Sequence, residues 1–493
     1  MASQYDRMAH LWRRAGFGAA PHEVSFYLKL GFEATVDYLV NYESVEENPA
    51  VLPAPVTAAN PPVSEITVIG IGDVANWWVD LMLKTRRPLQ ERMVLFWHDH
   101  FATSYTKINP PNGPKHLYWQ NQLERRYATG KFRDLMKGIN RDPAMLRWLD
   151  NVLNVKNSPN ENYARELFEI FMLGFEAFEA GVYTEPDVQQ AARAFTGWGL
   201  LRNTDAPPMG AQNGPLTDPA QVVAIPPATN DNSFAAQRHD YTGKTVFGVN
   251  QNFNGDDIVD LVLDREPQRT ACARMLGKKL FEYFAYDNPE EYVVTHLAEV
   301  LKRTDFDVKV LLRDLFLNVK EFYSERALHS LIKWPAYYVV SAARLTQATI
   351  PARALNDRMR AMGQWLFWPP DVFGWPGGAE WSTTSQLLAR ANWANELVTN
   401  RSTTAGNTGV ALEALLQQGG LGADAAPEQV VDYFTTLLVQ RPLAAGVRQA
   451  LVEYMRKADN GTVGNFRLDN TTKDKKVRGL IHLLLSRPEG QNY

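Results

Sequence analysis

A polar cluster at residues 160–169 carries the residue types that acid–base or metal chemistry requires. Its sequence, Asn-Glu-Asn-Tyr-Ala-Arg-Glu-Leu-Phe-Glu, contains three carboxylates, an arginine and two carboxamides. On a helix, Glu166 and Glu169 share one face, where two carboxylates can bind a divalent ion or act as an acid and a base. Arg165 could stabilise a negative charge beside them. The alternative is an ion-pair network in which Arg165 only satisfies the glutamates.

A second candidate is the triplet His98-Asp99-His100, which is flanked by aromatic residues on both sides. In a regular helix, residues i and i+2 point about 200° apart, so both histidines face one site only if the helix ends there or the segment is extended. Together with the two glutamates, the histidines would provide ligands that suit Mn, Fe or Zn. The predicted ligands of this divalent metal are His98, His100, Glu166 and Glu169. The alternative is a pair of hydrogen-bonded core histidines.

A third cluster, at residues 238–244, combines His239, Asp240 and Lys244 with a glycine. Loops that combine such residues with a glycine turn often reach over a site, so His239 and Lys244 are predicted to act with the 160–169 cluster. The alternative is a hairpin whose polar residues only face water. The predicted catalytic residues are Arg165, Glu166, His239 and Lys244.

A tryptophan-rich segment at residues 365–381 combines stiff prolines, permissive glycines and several large rings. This composition predicts a rigid loop with aromatic walls. Such a loop could be a binding platform or a structural plug, and the plug is the slightly favoured interpretation.

The elements that must position these residues are helices. Apolar residues recur with helical spacing in most of the chain, for example at 267–285 and 382–398. Start signals agree with this pattern: Pro88 suits a first helical turn, and Thr184 precedes an acidic first turn that contains proline. The sequence therefore predicts an all-α protein, with many helices packed in one large domain.

Three stretches interrupt the helical pattern. Residues 46–65 are rich in proline, alanine and valine and predict an extended connector, whereas residues 201–254 predict a long excursion with a short β-hairpin. Residues 401–425 have the composition of a linker. We therefore expect a main domain at 1–400 that includes the excursion, and a C-terminal helical subregion at 426–493 that packs on it.

The composition limits the possible functions. The chain has 493 residues, 45% of them hydrophobic and 22% charged, so it can bury a large core and is expected to be soluble. A net charge of −4 gives no overall basic footprint for nucleic acid. The single cysteine, Cys272, excludes an intrachain disulfide and is expected in the core. The sequence contains no apolar run of about 18 residues, so no transmembrane segment is predicted.

Several motifs, in order along the chain, resemble those of the bacterial DUF1800 proteins, a family of unassigned function. They lie at residues 10–18, 97–101, 160–167, 183–198, 239–244 and 372–378, followed by the ending at 484–489. The resemblance covers about residues 8–490. It implies an association with DUF1501-type proteins, which are often encoded beside members of this family and resemble sulfatases. The family is commonly exported, but the chain begins without a secretory signal and is therefore expected in the cytoplasm as given.

Three hypotheses about function follow. The first is a metal-assisted hydrolase or oxidoreductase that uses the His/Glu/Arg cluster, and it leads because the polar residues lie in separate motifs flanked by aromatic residues. The second is a non-enzymatic scaffold for a DUF1501-type partner, which predicts a metal-free, salt-bridged cluster and an exposed apolar patch. The third is a carbohydrate-binding or carbohydrate-active protein with a tryptophan-rich cleft, in which two carboxylates about 5–10 Å apart would favour a glycosidase.

Overall fold

The described part of the protein has an all-α fold, as the periodicity predicts. The computed structural model describes residues 3–51, 70–108, 113–200, 223–224, 237–399, 409–457, 462 and 466–493. In chain order the α-helices are α1 (Gln4–Ala15), α2 (Pro21–Leu30), α3 (Phe32–Val40), α4 (Ile71–Lys84), α5 (Pro88–His100), α6 (Tyr105–Ile108), α7 (Gly113–Arg126), α8 (Phe132–Asn140), α9 (Pro143–Trp148), α10 (Asn162–Glu166), α11 (Phe175–Glu179), α12 (Glu185–Ala194), α13 (Gly255–Asp264), α14 (Gln268–Phe284), α15 (Glu291–Arg303), α16 (Val308–Asn318), α17 (Pro335–Leu345), α18 (Ala352–Ala361), α19 (Thr384–Thr399), α20 (Leu412–Gln418), α21 (Pro427–Leu438), α22 (Ala445–Arg456), α23 (Asn470–Thr472), α24 (Arg478–Ser486) and α25 (Pro488–Gln491).

Shorter helical segments of other types complete this set. The 3-10 helices are Tyr42–Ser44, Asn151–Leu153, Lys320–Tyr323 and Gly378–Ser382, and the π-helices are Leu167–Met172 and Lys473–Val477. In the described part of the chain, no helix is both long and apolar enough to cross a membrane.

The predicted helix starts are confirmed. Helix α5 begins at Pro88, where the missing N–H would have had no intrahelical partner. At the start of α12, the Asp187 carboxylate accepts hydrogen bonds from the backbone N–H of Thr184 at 2.9 Å and from its hydroxyl at 2.7 Å. The first turn of a helix leaves backbone N–H groups without intrahelical partners. Pro88 has no N–H to leave unpaired, and Asp187 accepts from the N–H of Thr184, so the sequence signals and the observed helix starts coincide.

Two helices differ from the pattern that the sequence predicts. The periodic stretch 160–174 forms α10 followed by the π-helix Leu167–Met172, whose wider turn is a feature that apolar spacing alone does not encode. The apolar spacing of residues 325–346 also predicts one helix, but this α-helix begins only at Pro335, because the residue before a proline is disfavoured in the helical conformation. Trp334 is accordingly extended, with φ −59° and ψ 149°.

Among the described residues, the β-strands form two small antiparallel pairs, β1 (Gly199–Leu200) with β2 (Val223–Ala224) and β3 (Lys244–Val246) with β4 (Val249–Gln251). The second pair is the hairpin predicted within 201–254. Its two turn residues, Phe247 and Gly248, have φ values of 50° and 75°, which suit the twist of a two-residue hairpin. Residues 201–222 and 225–236 of the predicted excursion lie outside the described residues.

Buried side chains form one continuous hydrophobic core that runs from α1 to α24 and includes Cys272, as predicted. Within the predicted linker, helix α20 buries Leu412, Leu415 and Leu416, so this part of it is packed. Helix α24 packs on α19. The division into domains stays a prediction, and residues 401–408 of the linker and 52–65 of the connector lie outside the described residues.

Candidate active site

The triplet His98-Asp99-His100 forms the last turn of α5, and each of its side chains holds a different segment. His98 and Asp99 accept hydrogen bonds from the tryptophan-rich loop (residues 365–381), whereas His100 bonds to the π-helix Leu167–Met172. This division follows from the helix geometry, since successive side chains point about 100° apart. The two ends of the triplet therefore serve different neighbours, and the helix end becomes the junction of three elements.

His98 is a buried residue in an aromatic box. Its Nε2 accepts a hydrogen bond of 3.1 Å from the backbone N–H of Phe367, and its ring packs against Trp78, Phe367 and Trp375. Burial lowers the pKa of His98 to about 3. The ring is therefore neutral at physiological pH, and it anchors the start of the tryptophan-rich loop.

His100 connects α5 to the π-helix and to α14. Its Nε2 lies 3.1 Å from the carbonyl oxygen of Phe171, and its Nδ1 lies 3.2 Å from Nζ of Lys279. The carbonyl accepts from Nε2–H, so Nδ1 is the nitrogen that accepts from Lys279. Burial, together with the charge of Lys279, lowers the pKa of His100 well below its usual value. Both ring nitrogens are thus engaged, and the tautomer is set by the Phe171 carbonyl.

The π-helix supplies acceptors to this junction because the last carbonyls of a helix have no intrahelical partners. The π-helix ends at Met172, and Gly174 follows with a φ of 86°. The carbonyl of Phe171 is taken by His100, and that of Ile170 lies 3.4 Å from Nζ of Lys279. The 160–174 motif and the His-Asp-His motif are therefore in contact, but through backbone carbonyls and not through Glu166 or Glu169.

Asp99 holds the far end of the tryptophan-rich loop. Its Oδ1 accepts a hydrogen bond of 2.8 Å from the backbone N–H of Trp375. This approach requires a glycine at position 374, where φ is 86° and a Cβ atom would lie only 2.7 Å from the Asp99 carbonyl oxygen and closer still to Oδ1. Real Cβ contacts are essentially never that short. The glycine therefore lets the loop backbone reach the carboxylate.

A cavity of about 450 Å³ opens beside Asp99, and we refer to it as the Asp99 cavity. Its charged and imidazole side chains come from α5, α14 and the turn that follows α14, while the tryptophan-rich loop contributes Phe373, two glycines and an alanine. The side chains that matter for chemistry and shape are those of Phe96, Asp99, His100, Lys279, Glu282, Tyr283, Asp287, Trp334, Phe373 and Tyr493. The volume and the aromatic walls are typical of a site for a small molecule.

Burial alters the pKa values of Asp99, Glu282 and Lys279 in the Asp99 cavity. Burial raises the pKa of Asp99 to about 7, although the Trp375 N–H and the charge of Lys279 oppose the shift. Burial also raises the pKa of Glu282 and lowers that of Lys279, whose ammonium form is favoured in turn by Asp99 and Glu282. A carboxyl group that titrates near pH 7 can both give and accept a proton under physiological conditions. The arrangement can therefore perform acid–base chemistry.

The predicted catalytic pair Arg165 and Glu166 lies in a different environment. Arg165 forms ion pairs with Glu161 at 3.1 Å, with Glu169 at 3.3 Å and with Glu185. These bonds lower the pKa of Glu185 and hold Arg165 in the charged form. The network is the arrangement that the ion-pair alternative describes. It accounts for Arg165 and Glu169, but Oε2 of Glu166 is buried without a hydrogen-bond partner in the described part of the chain.

His239 and Lys244 lie on and beside the β3–β4 hairpin. Nδ1–H of His239 donates to the Thr196 carbonyl at 2.7 Å, and Nζ of Lys244 donates to the Asp240 carbonyl and to Asn252 Oδ1 at 2.9 Å. Burial lowers the pKa of Lys244 to about 8. His239 is therefore bonded to the segment that follows α12, and Lys244 to residues on either side of the hairpin. Neither residue lines the Asp99 cavity.

The predicted metal ligands are divided between two environments. His98 and His100 bond to the tryptophan-rich loop and the π-helix, whereas Glu169 bonds to Arg165. Among the described residues, no group of three or more His, Cys, Asp or Glu side chains has an arrangement that could hold a metal ion. The divalent metal therefore stays a prediction, and so do the roles assigned to the 160–169 and 238–244 clusters.

Lys279, Glu282 and Gly374 are site residues that sequence reasoning missed. Lys279 follows Lys278 on an amphipathic helix, and nothing in the spacing separates it from a solvated pair of lysines. Gly374 stood within the tryptophan-rich motif, but its contact with Asp99 joins backbone segments 275 positions apart. Asp99 itself lay between the two histidines that were favoured as metal ligands.

A larger cavity of about 1030 Å³ lies between α4 and α17. Its charged residues include Asp80 and Lys84, which form an ion pair of 2.7 Å. The Asp99 cavity is smaller, but it combines a carboxyl group that titrates near neutral pH with a cationic side chain and aromatic walls. We therefore take it as the candidate active site.

Comparisons with known proteins give a family but no activity. Residues 10–492 match the model of a family described as "protein of unknown function (DUF1800)". No curated protein matches the chain. No solved structure matches it either.

Proposed function

We propose that this chain, which belongs to the DUF1800 family, is an enzyme that carries out general acid–base catalysis on a small polar substrate in the Asp99 cavity. Asp99 is the proton carrier, and Lys279 is the basic partner that faces the substrate from α14. The reaction in the cavity is either a hydrolysis or a reaction of a carbonyl compound that requires proton transfers. Both need a group that exchanges protons near pH 7.

The observation that carries the proposal is the placement of Asp99. One carboxylate oxygen is fixed by the Trp375 N–H at 2.8 Å, so the group keeps one orientation in both protonation states. With a pKa near 7, the protonated and the ionised form of Asp99 are both populated near neutral pH. A positioned carboxyl group of this kind can donate a proton in one step and recover it in the next.

The walls of the Asp99 cavity indicate the kind of substrate. Phe96, Tyr283, Trp334 and Phe373 present rings to a space of about 450 Å³, which suits a molecule the size of a single ring or a short chain. A carbohydrate is a second candidate, favoured by these rings together with two carboxyl groups, Asp99 and Glu282, whose pKa values are both raised. The divalent metal and the DUF1501-type partner stay predictions that this proposal does not require.

The proposal is tested by searching for the substrate without assuming its identity. Purified protein is incubated at neutral pH with a bacterial metabolite extract, and changes in the extract are followed by mass spectrometry. We expect at least one metabolite to be consumed by the wild-type protein and not by Asp99→Asn, because the amide cannot carry the proton.

The matched control is Asp142→Asn. Burial also raises the pKa of Asp142 to about 7, but this side chain bonds to Gln120 and the Met145 N–H and does not line the Asp99 cavity. The control variant should keep the activity. Loss of activity in both variants, equal activity in Asp99→Asn and the wild type, or no consumption by the wild type would each count against the proposal.

A further inference from the structure

We propose that Lys279 is an amine nucleophile that forms a Schiff base with an aldehyde or ketone in the Asp99 cavity. This inference rests on the proposed function for the site of the reaction, and it narrows the substrate class to carbonyl compounds. Its test uses a simple aldehyde as a probe, so it does not depend on knowing the natural substrate.

The surroundings of Lys279 are unusual for a lysine. It lines the cavity from α14, and its Nζ lies 3.2 Å from Nδ1 of His100 and 3.4 Å from the Ile170 carbonyl. Among the described residues, no carboxylate oxygen lies within 4.0 Å of Lys279 Nζ, the distance at which an ion pair forms. Most lysines hold a charge in water or against a carboxylate, whereas desolvated lysines without such a partner are those that serve as nucleophiles.

The two hydrogen bonds of Lys279 define where its lone pair points. His100 Nδ1 and the Ile170 carbonyl are both acceptors, so together they engage the two N–H groups of a neutral amine. The tetrahedral nitrogen then has one position left, which its lone pair occupies. His100 cannot supply a competing proton to that position, because the Phe171 carbonyl holds its own N–H on the other ring nitrogen.

The charged groups that face Lys279 come from two helices. Asp99 on α5 and Glu282, one turn further along α14, line the same cavity as the amine, and neither forms an ion pair with it. This separation leaves the nucleophile and the proton carriers as distinct groups.

The reaction balances with the amine, the carbonyl compound and Asp99 alone. The lone pair of Lys279 attacks the carbonyl carbon, a C–N bond forms, and the carbonyl oxygen takes a proton from Asp99 to give a carbinolamine. The amine loses a proton to the Asp99 carboxylate, which then returns it to the hydroxyl group as that group leaves as water. Loss of the water forms the C=N bond as an iminium ion, and its N–H proton passes to the Asp99 carboxylate, which restores the protonated acid, so an amine and a carbonyl compound yield an imine and one water.

The neighbouring residue provides an internal comparison. Lys278 lies on the same helix, but its Nζ is 3.1 Å from Glu176 and its side chain is 36% exposed. Both lysines react with the same reagent in the same sample, so a difference between their alkylation rates reflects their surroundings. The variants Lys279→Met and Lys278→Met remove each amine in turn while keeping an unbranched apolar side chain.

The experiment is reductive trapping with acetaldehyde and cyanoborohydride at neutral pH, followed by peptide mass spectrometry. We expect Lys279 to be alkylated at least about tenfold faster than Lys278, because Lys279 faces the cavity without a carboxylate partner, whereas Lys278 is paired with Glu176. Lys278→Met should leave the rate at Lys279 unchanged. In Asp99→Asn the rate at Lys279 should fall but not vanish, since proton transfer then comes from water.

Alkylation of Lys279 at the rate of Lys278, or more slowly, would overturn the inference. Failure of this inference is distinct from failure of the proposed function. Slow trapping together with an Asp99-dependent activity would leave an acid–base enzyme without a covalent step, whereas fast trapping without any Asp99-dependent activity would leave a reactive lysine in a site of another kind. Mass spectra of folded Lys279→Met protein identify any signal that arises elsewhere.

Discussion

Gly374→Ala is expected to lower the free energy of unfolding by about 3 kcal/mol and to move the tryptophan-rich loop away from Asp99. At the present backbone conformation, with φ 86°, a side chain is strained in any case. The added Cβ would also lie 2.7 Å from the Asp99 carbonyl oxygen, which belongs to the backbone of α5 and cannot move aside easily. The loop must therefore give way, and the Trp375 N–H leaves the carboxylate.

This prediction is measured by chemical denaturation, with Gly377→Ala as its control. Gly377 belongs to the same loop and the same cavity, but a Cβ there meets nothing within 4 Å and its φ is −93°. The control should change the free energy of unfolding by less than about 1 kcal/mol. Equal effects of the two substitutions would show that the approach of the loop to Asp99 is not as tight as the account requires.

Asp99→Asn is expected to stabilise the protein at high pH and not at low pH. The pKa of Asp99 is raised from 3.8 to about 7, so between these values the folded state binds more protons than the unfolded state. The stability of the wild-type protein therefore falls as the pH rises through this window. The asparagine does not titrate and still accepts from the Trp375 N–H. Above pH 7 the gain should reach about 2 to 4 kcal/mol.

The measurement is urea denaturation of the wild type and the variant at about pH 4 and about pH 8. The difference between the two proteins should be close to zero at the lower pH and largest at the higher one. Asp142→Asn should follow the same trend because its carboxyl group is buried in a similar way. A gain for Asp99→Asn that does not depend on pH would mean that burial does not raise the pKa of this carboxyl group.

The fold was largely predictable because its signals are local. Apolar spacing and capping residues act over a few positions, so the all-α class, the start of α12 at Thr184 and the hairpin at β3–β4 follow from neighbouring residues. The π-helix after α10 is different. Its last carbonyls bond to side chains from α5 and α14, and contacts at that distance leave no periodic trace in the sequence.

The candidate site was only partly predictable for the same reason. The aromatic flanks of His98-Asp99-His100 marked a buried polar turn, but they did not indicate which of the three side chains faces a cavity. That choice depends on Lys279, which is 179 positions from His100, and on Trp375, which is 276 positions from Asp99. The histidines were favoured as ligands from their residue type, whereas the structure gives both of them backbone partners.

The central claim is that Asp99 exchanges a proton near neutral pH. It is tested most directly by a carbon-13 NMR titration of aspartate side-chain carboxyl groups, with the Asp99 resonance assigned as the signal that Asp99→Asn removes. The account predicts that this resonance titrates with a pKa of about 7. A pKa below about 5, within the range of ordinary aspartates, would contradict it, because Asp99 would then be ionised throughout the physiological range.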